Sequence, residues 1–526
     1  MRLKSKILYT VLAVSVLFTS CSDEFLDRPP LSVISADNFY QTPEDLKLAT
    51  AALYAGTPWA DWTYSSYLPV GEVLSGNMAL GWNDDAIQFN SFSVTGFNNG
   101  LISNWRGMYN VIAHCNITIH AIQEKAPSSI AEADINAAIS EAKFIRAFAY
   151  YNLALLWGDV PIIEDNRNLV QSPLVYRNEV NDVYQFIVND LTFASNNLPA
   201  TNDPGRVTTW SAQGLLGKVY LTWSGLDSNG SRDQARLDSA RLYAGNVCKE
   251  SGLDLLPNYA DLFKTQYNDN IESLFALQWE PSVGGWLQGN MLQIYSPGGV
   301  EISANGQAGW FSIAPTYDMY QQYSANDTVR RKATFMIKDD YYPELNAGGG
   351  GYTFLGEAGL KKHIIGTKED NNVPIMELVS SAEHNALLRL ADVYLVYAEA
   401  IMGNSGSTTD ADALFYFNRV RTRAGIEPVT IIEADSLLKE RRIELAAEGQ
   451  YWFDLVSLSY YNPSKAISML NNQERVLFTI DDDGLITPSD PIAEITPATI
   501  NSFKFPLPSS EITANPYLLE AAVPYY

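Results

Sequence analysis

The sequence predicts a mostly α-helical protein, built of stacked helical hairpins of tetratricopeptide type with few short strands and long loops. Three observations lead there. Apolar residues recur at helix spacing along much of the chain. Small Ala and Gly residues stand where paired helices would touch, with Tyr at intervals. Strand-like runs are few: "SLFALQW" at 273–279, and "RVLFTI" and "GLIT" on either side of the "DDDG" turn at Asp481–Gly484.

Taken in order, the first helix begins after Thr42. A capping hydroxyl is followed by Pro43 at the first helical position, then by Glu44 and Asp45 on the positive end of the helix dipole. In "ISEAKFIRAFAYYNLALLWGDVP" the residues Ala142, Ile145, Ala149, Leu153 and Leu156 fall at spacings of three and four. Phe144, Phe148, Tyr151 and Leu155 cover a second face, so this helix is expected to be buried nearly all round. Gly158 and Pro161 stop it. Arg146, inside this apolar helix, is expected to bond backbone or Glu141. Further helices are predicted over 181–197, 211–223, 236–250, 385–403, 410–424 and 434–448, the last closed by Gly449.

Long irregular stretches are predicted over 57–106, 280–312 and 340–360, where loops would carry function. The run Gly348–Gly351 reads as a mobile loop. No composition break divides residues 43–526, which are read as one domain.

The 526 residues are 46% apolar and 18% charged, the composition of a folded globular protein. There are 60 acidic against 35 basic residues, which argues against a nucleic-acid partner. Residues 1–20 carry Arg2, Lys4 and Lys6 and then an apolar run, the plan of a secretory signal. The string "LFTSC" is similar to a bacterial lipobox and makes Cys21 the expected lipidated residue. Residues 21–42 then form the tether. Removing residues 1–20 takes away three basic residues and no acidic ones, so the net charge moves from −25 to −28.

Catalytic and metal-binding patterns are not found. His114, His120, His363 and His384 form no H-E-x-x-H and read as structural. Cys115 and Cys248 are isolated. No G-x-S-x-G elbow is present, and the tetraglycine run lacks the Lys-Ser or Lys-Thr of a phosphate loop. The cluster Glu440, Arg441, Arg442, Glu444 and Glu448 looks catalytic but reads better as structural ion pairing. Neither an enzyme activity nor a cofactor is expected.

Several segments together resemble the SusD/RagB family of outer-membrane nutrient-binding lipoproteins. They are "CSDEFLDRPP" at the start, "EAKFIRAFAYYNLALLWGDVPI" (141–162), "NEVNDVYQFIVNDL" (178–191) and "GRVTTWSAQGLLGKVYL" (205–221). "NYADLFKTQYNDNIESLFALQW" (258–279), "LLRLADVYLVYAEAI" (387–401) and "FNRVRTRAG" (417–425) follow, then "LLKERRIELAAEGQYWFDL" (437–455) and "FKFPLPSSEITANP" (503–516). The resemblance implies four tetratricopeptide-like helix pairs packed against a loop-rich, ligand-binding half. It implies a lipid-anchored protein on the outer membrane of a Bacteroidota-type cell, with no catalytic residues. Such a protein passes glycans to a SusC-like TonB-dependent transporter. A RagB-like member serving a peptide importer is the alternative.

In that family, ligand contacts come from aromatics in the variable loops. Trp157, Trp223 and Trp452 lie in scaffold motifs and read as core, and Trp59, Trp62 and Trp105 adjoin helices. Trp82, Trp286 and Trp310 are flanked by Gly or Asn in long loops, the setting of an interaction surface. Three such rings would form a flat platform for an extended neutral β-glucan, with Tyr295 as a fourth ring. Asn83 and Asp84 would bond its hydroxyls.

Overall fold

The computed structural model describes residues 39–526 apart from 55, 229, 281–288, 304–308 and 372–380. It is mostly helical. α1 (Pro43–Ala51) starts as its sequence dictates: Thr42 Oγ1 accepts from Asp45 N at 3.1 Å, and the Asp45 carboxylate accepts from Thr42 N at 2.9 Å. α2 (Ala60–Ser65) and α3 (Asp84–Asn90) are short. The long helices α4 (Asn99–Lys125), α5 (Glu132–Trp157), α6 (Val180–Asn197), α7 (Thr209–Trp223) and α8 (Gln234–Glu250) follow. After the loop-rich part come α9 (Leu390–Met402), α10 (Ala411–Arg423), α11 (Ala434–Glu444), α12 (Tyr451–Tyr461) and α13 (Pro463–Asn471).

From α4 to α10 each helix packs on the next, the stacking that the sequence predicts. Small residues let the axes approach. A Cβ on Gly217 of α7 would meet the Ala244 Cβ of α8 at 2.9 Å. α5 packs between α4 and α6, and Phe144, Ile145, Leu153 and Leu156 on it are fully buried. Each such side chain contributes about 1.5–3 kcal/mol of burial. Gly158 ends the helix at φ +73°. The main core runs from Leu46 to Leu518. A smaller one, with Ile302, Met336, Tyr342, Leu345, Phe354 and Ile364, underlies the loop-rich part.

The strands are short antiparallel pairs. β1 (Met78–Ala79) pairs with β3 (Ala314–Pro315), β2 (Ser273–Leu277) with β4 (Asn385–Arg389), and β5 (Phe478–Ile480) with β6 (Ile486–Pro488). Among the described residues no helix is long and apolar enough to cross a membrane.

Four expectations need correction. Residues 385–389, read as helix, are strand β4, because pairing with β2 outweighs their helix-like spacing. The helix read as 434–448 ends at Glu444. Ala447 and Gly449 then adopt φ of +61° and +70°, which turns the Glu448 carboxylate onto Arg389. Residues 57–106, read as irregular, hold α2, a π-turn at Pro69–Val73, α3 and the start of α4, and bury Trp59, Trp62 and Trp105. Arg146 makes a bidentate pair with Asp190 at 2.8 and 2.9 Å and takes Asn116 Oδ1 at 2.7 Å, whereas Glu141 belongs to Arg206 and Tyr54.

The Glu440–Glu448 cluster is a buried ion network. Arg389 reaches Glu272, Glu444 and Glu448 at 2.7, 2.8 and 2.6 Å, and Glu440 accepts from Arg330 and Arg421. Such a network fixes how β4, α10 and α11 meet, because removing one partner leaves a buried charge uncompensated. Trp157, Trp223 and Trp452 are buried, as expected of core residues.

Candidate functional site

The β1–β3 pair builds the site. Its register sets Met78 opposite Pro315 and Ala79 opposite Ala314. Continued three residues outward, that register brings Trp82 opposite Phe311. The two rings stack with centroids 5.4 Å apart and planes 17° from parallel. Trp82 keeps 58% of its surface exposed.

Phe311 is held from behind. Its N–H donates to the Ile294 carbonyl at 2.9 Å, and Ile313 N–H donates to the Tyr295 carbonyl at 2.9 Å. Tyr64 meets the Phe311 ring edge-on at 6.3 Å, and Tyr295 lies 6.0 Å from it at 39°. Aromatic pairs of this kind add about 0.5–1.5 kcal/mol each beyond their burial. Trp310, the preceding residue, is 40% exposed.

Of the residues expected from sequence, Trp82 stacks on Phe311 and stays exposed, and Trp310, next to Phe311 in the chain, is exposed as well. Trp286 lies outside the described residues. Tyr295, expected as a fourth exposed ring, is buried instead. Its hydroxyl donates to the Tyr64 carbonyl at 2.7 Å, and burial pushes its pKa up. It supports Phe311 from below, because the backbone bonds to 311 and 313 turn it inward.

Asn83 and Asp84 flank Trp82 as expected, and each has a local task. Asn83 caps α3, its Oδ1 accepting from Ala86 N at 2.9 Å, while Asp84 is exposed at the first position of that helix. The next carboxylate, Asp85, accepts from Asn99 N at 3.1 Å and Asn99 Nδ2 at 2.9 Å. This ties the start of α3 to the start of α4 and holds Trp82 in place.

Sequence reasoning missed Phe311 and Tyr64 as parts of the site. Phe311 could have been found as the second half of the "WF" doublet that closes the 280–312 stretch. Chemically, the arrangement offers an exposed indole face with amide and carboxylate groups around it. That suits the C–H face and hydroxyl rim of a sugar ring.

Residues 359–526 match the sequence model of the SusD family. Residues 43–221 match a family described as starch-binding and associating with the outer membrane. A SusD-like protein of Bacteroides ovatus is 40% identical, over 99% of this chain and 98% of its own. A solved structure with xylogluco-oligosaccharide is 39% identical, covers 91% of this chain and 99% of its own, and superposes with a TM-score of 0.84. The surface glycan-binding protein A of Bacteroides thetaiotaomicron, solved with laminarihexaose, shares the fold at 23% identity and a TM-score of 0.68, over 90% of this chain and 98% of its own.

Proposed function

The chain belongs to the SusD family, and on that premise we propose that it captures a neutral glycan with a β-glucan backbone at the bacterial surface. The observation that carries this reading is the exposed Trp82 face stacked on Phe311, with exposed Trp310 beside it. A flat indole face suits an extended chain of equatorially linked sugars better than a coiled one, since successive rings can lie in one plane. A solved structure at 39% identity holds a xylogluco-oligosaccharide, and this supports a glucan backbone as the ligand class. The charge of −25, with Asp84 and Asp85 at the rim of the platform, favours uncharged polymers over polyanionic ones.

In this reading Trp82 and Trp310 capture without catalysing, and Trp286 adds a third ring. Cys21 carries the lipid that holds the protein to the outer membrane. The captured chain is passed to a SusC-like TonB-dependent transporter. Affinity per platform is modest, but a polymer that touches many surface copies gains effective concentration without new contacts.

The test is affinity electrophoresis of the purified protein in gels containing β-glucans, α-glucans, mannans, xylans or fructans. Retardation by xyloglucan or other β-glucans is the expected result. Retardation by an unrelated glycan alone would keep glycan capture and end the β-glucan reading. No retardation in any gel would end both.

A further inference from the structure

Beside the Trp82–Phe311 stack the surface drops into a pit of about 200 Å³. Its floor is apolar and buried, made by Val73, Leu80, Phe89 and Ile313. Its mouth is polar and accessible, made by Ser65, Asn83 and Asn99. Among the described residues three polar atoms there make no hydrogen bond: Ser65 Oγ, Asn83 Nδ2 and Asn99 Oδ1. Their neighbours are committed, with Asn83 Oδ1 to the cap of α3 and Asn99 Nδ2 to Asp85. A hydroxyl, an amide donor and an amide acceptor therefore ring an apolar cup.

Size decides what such a cup can hold. Sites that enclose a whole drug-sized ligand run to about 300–1,000 Å³. A pit of about 200 Å³ with a closed floor holds a single ring and gives a running polymer no way through. Asn83 of the mouth follows Trp82 in the chain and Phe311 of the wall stacks on it, so a glycan on Trp82 would lie next to the pit and enter it by a substituent.

Charge narrows the class. Asp85 is the one charged residue of the lining among the described residues, and its carboxylate already accepts from Asn99 N and Asn99 Nδ2. Among the described residues no cation lines the pit to balance an acidic group. The apolar floor suits the C–H face of a neutral sugar, and the three mouth atoms suit its hydroxyls.

We propose that this pit is a subsite for a single neutral sugar branch on the polysaccharide whose backbone lies on Trp82. The proposal rests on the glucan-capture reading above and adds to it that the preferred ligand is branched. Phe311 serves both parts, stacked under Trp82 and lining the pit.

The test is titration calorimetry of the purified protein with cellohexaose and with a cello-oligosaccharide of the same backbone length carrying single xylosyl branches. The wild type is expected to bind the branched probe at least tenfold more tightly. Ser65→Leu, which fills the cup, is expected to remove that preference while leaving cellohexaose binding unchanged. Ser65→Ala removes the mouth hydroxyl and should weaken the branched probe alone by several-fold, so the test stands even if Ser65→Leu folds poorly. Equal binding of the two probes by the wild type would overturn the subsite and leave glucan capture standing. So would parallel loss of both probes in folded Ser65→Leu and Ser65→Ala. Failure of the wild type to bind either probe would overturn both readings.

Discussion

Trp82 and Phe311 stack 5.4 Å apart although they come from distant parts of the chain, because two-residue strands at their roots fix the register between them. Beyond that stack, 58% of Trp82 remains exposed. Trp82→Ala should therefore abolish retardation in a xyloglucan gel, or weaken binding at least tenfold. The fold should lose no more than about 0.5–1.5 kcal/mol, the worth of one aromatic pair. Retained retardation in a folded Trp82→Ala protein would remove the platform from the mechanism.

Phe311 is expected to behave differently from Trp82. It is half-buried, and its ring meets Tyr64, Trp82 and Tyr295. Phe311→Ala should both destabilise the protein, by roughly 1–3 kcal/mol, and weaken glycan binding, since Trp82 loses the surface it lies on. Chemical denaturation and gel retardation measured on one preparation separate the two effects. A Phe311→Ala protein that loses stability but binds normally would show that Trp82 needs no support.

Tyr295→Phe tests the inward position of that ring. The hydroxyl makes a buried bond to the Tyr64 carbonyl, and deleting it leaves that carbonyl short of a donor. The expected cost is about 1 kcal/mol of stability, with binding unchanged. A loss of affinity at unchanged stability would instead mean that the hydroxyl reaches the ligand.

Helices such as α6, α7 and α8 are legible because each carries enough turns for its period to show, whereas α4, α12 and α13 are not read as helices. The C-terminal part of α5 is read from Ala142, Ile145, Ala149, Leu153 and Leu156, and Gly158 marks its stop, while the helix itself starts earlier, at Glu132. The 434–448 reading failed where geometry came from elsewhere. Gly449 passes so close to Gly71 that a Cβ on Gly71 would lie 2.3 Å from the Gly449 Cα, and nothing local in either segment announces that contact. The same limit governed the site. The exposure of Trp82 and Trp310 could be read from their Gly and Asn neighbours, but Tyr295 looks no different in sequence from an exposed ring. Its burial follows from the backbone bonds to Phe311 and Ile313, and those follow from a β1–β3 pair too short to have any period.

The scaffold should show a two-sided pH dependence. Burial by itself would raise the pKa of Glu448, but Arg389 and Lys362 beside it hold it down to about 2, against 4.5 for an ordinary glutamate. Asp392 is likewise buried and held at about 2, by Lys218 and Arg441. Between pH 4.5 and 2 the unfolded chain takes up protons that these folded carboxylates refuse, so their stabilisation is complete above 4.5 and is lost as pH falls toward 2. Glu72 and Glu141 have the opposite sign, since burial raises both. Above 4.5 the folded state binds their protons more readily than the unfolded chain does, so acidification from neutrality toward 4.5 favours folding through them. The thermal midpoint should therefore hold or rise from pH 7 to about 5 and then fall steeply between 4.5 and 2. Glu448→Gln leaves Arg389 with less compensation and should cost about 3–5 kcal/mol at neutral pH. It should also flatten the acid limb, because one of the depressed carboxylates is gone. Melting curves of the wild type and Glu448→Gln across this range give the comparison, and equal slopes below pH 4.5 would show that the Arg389 network does not set acid stability.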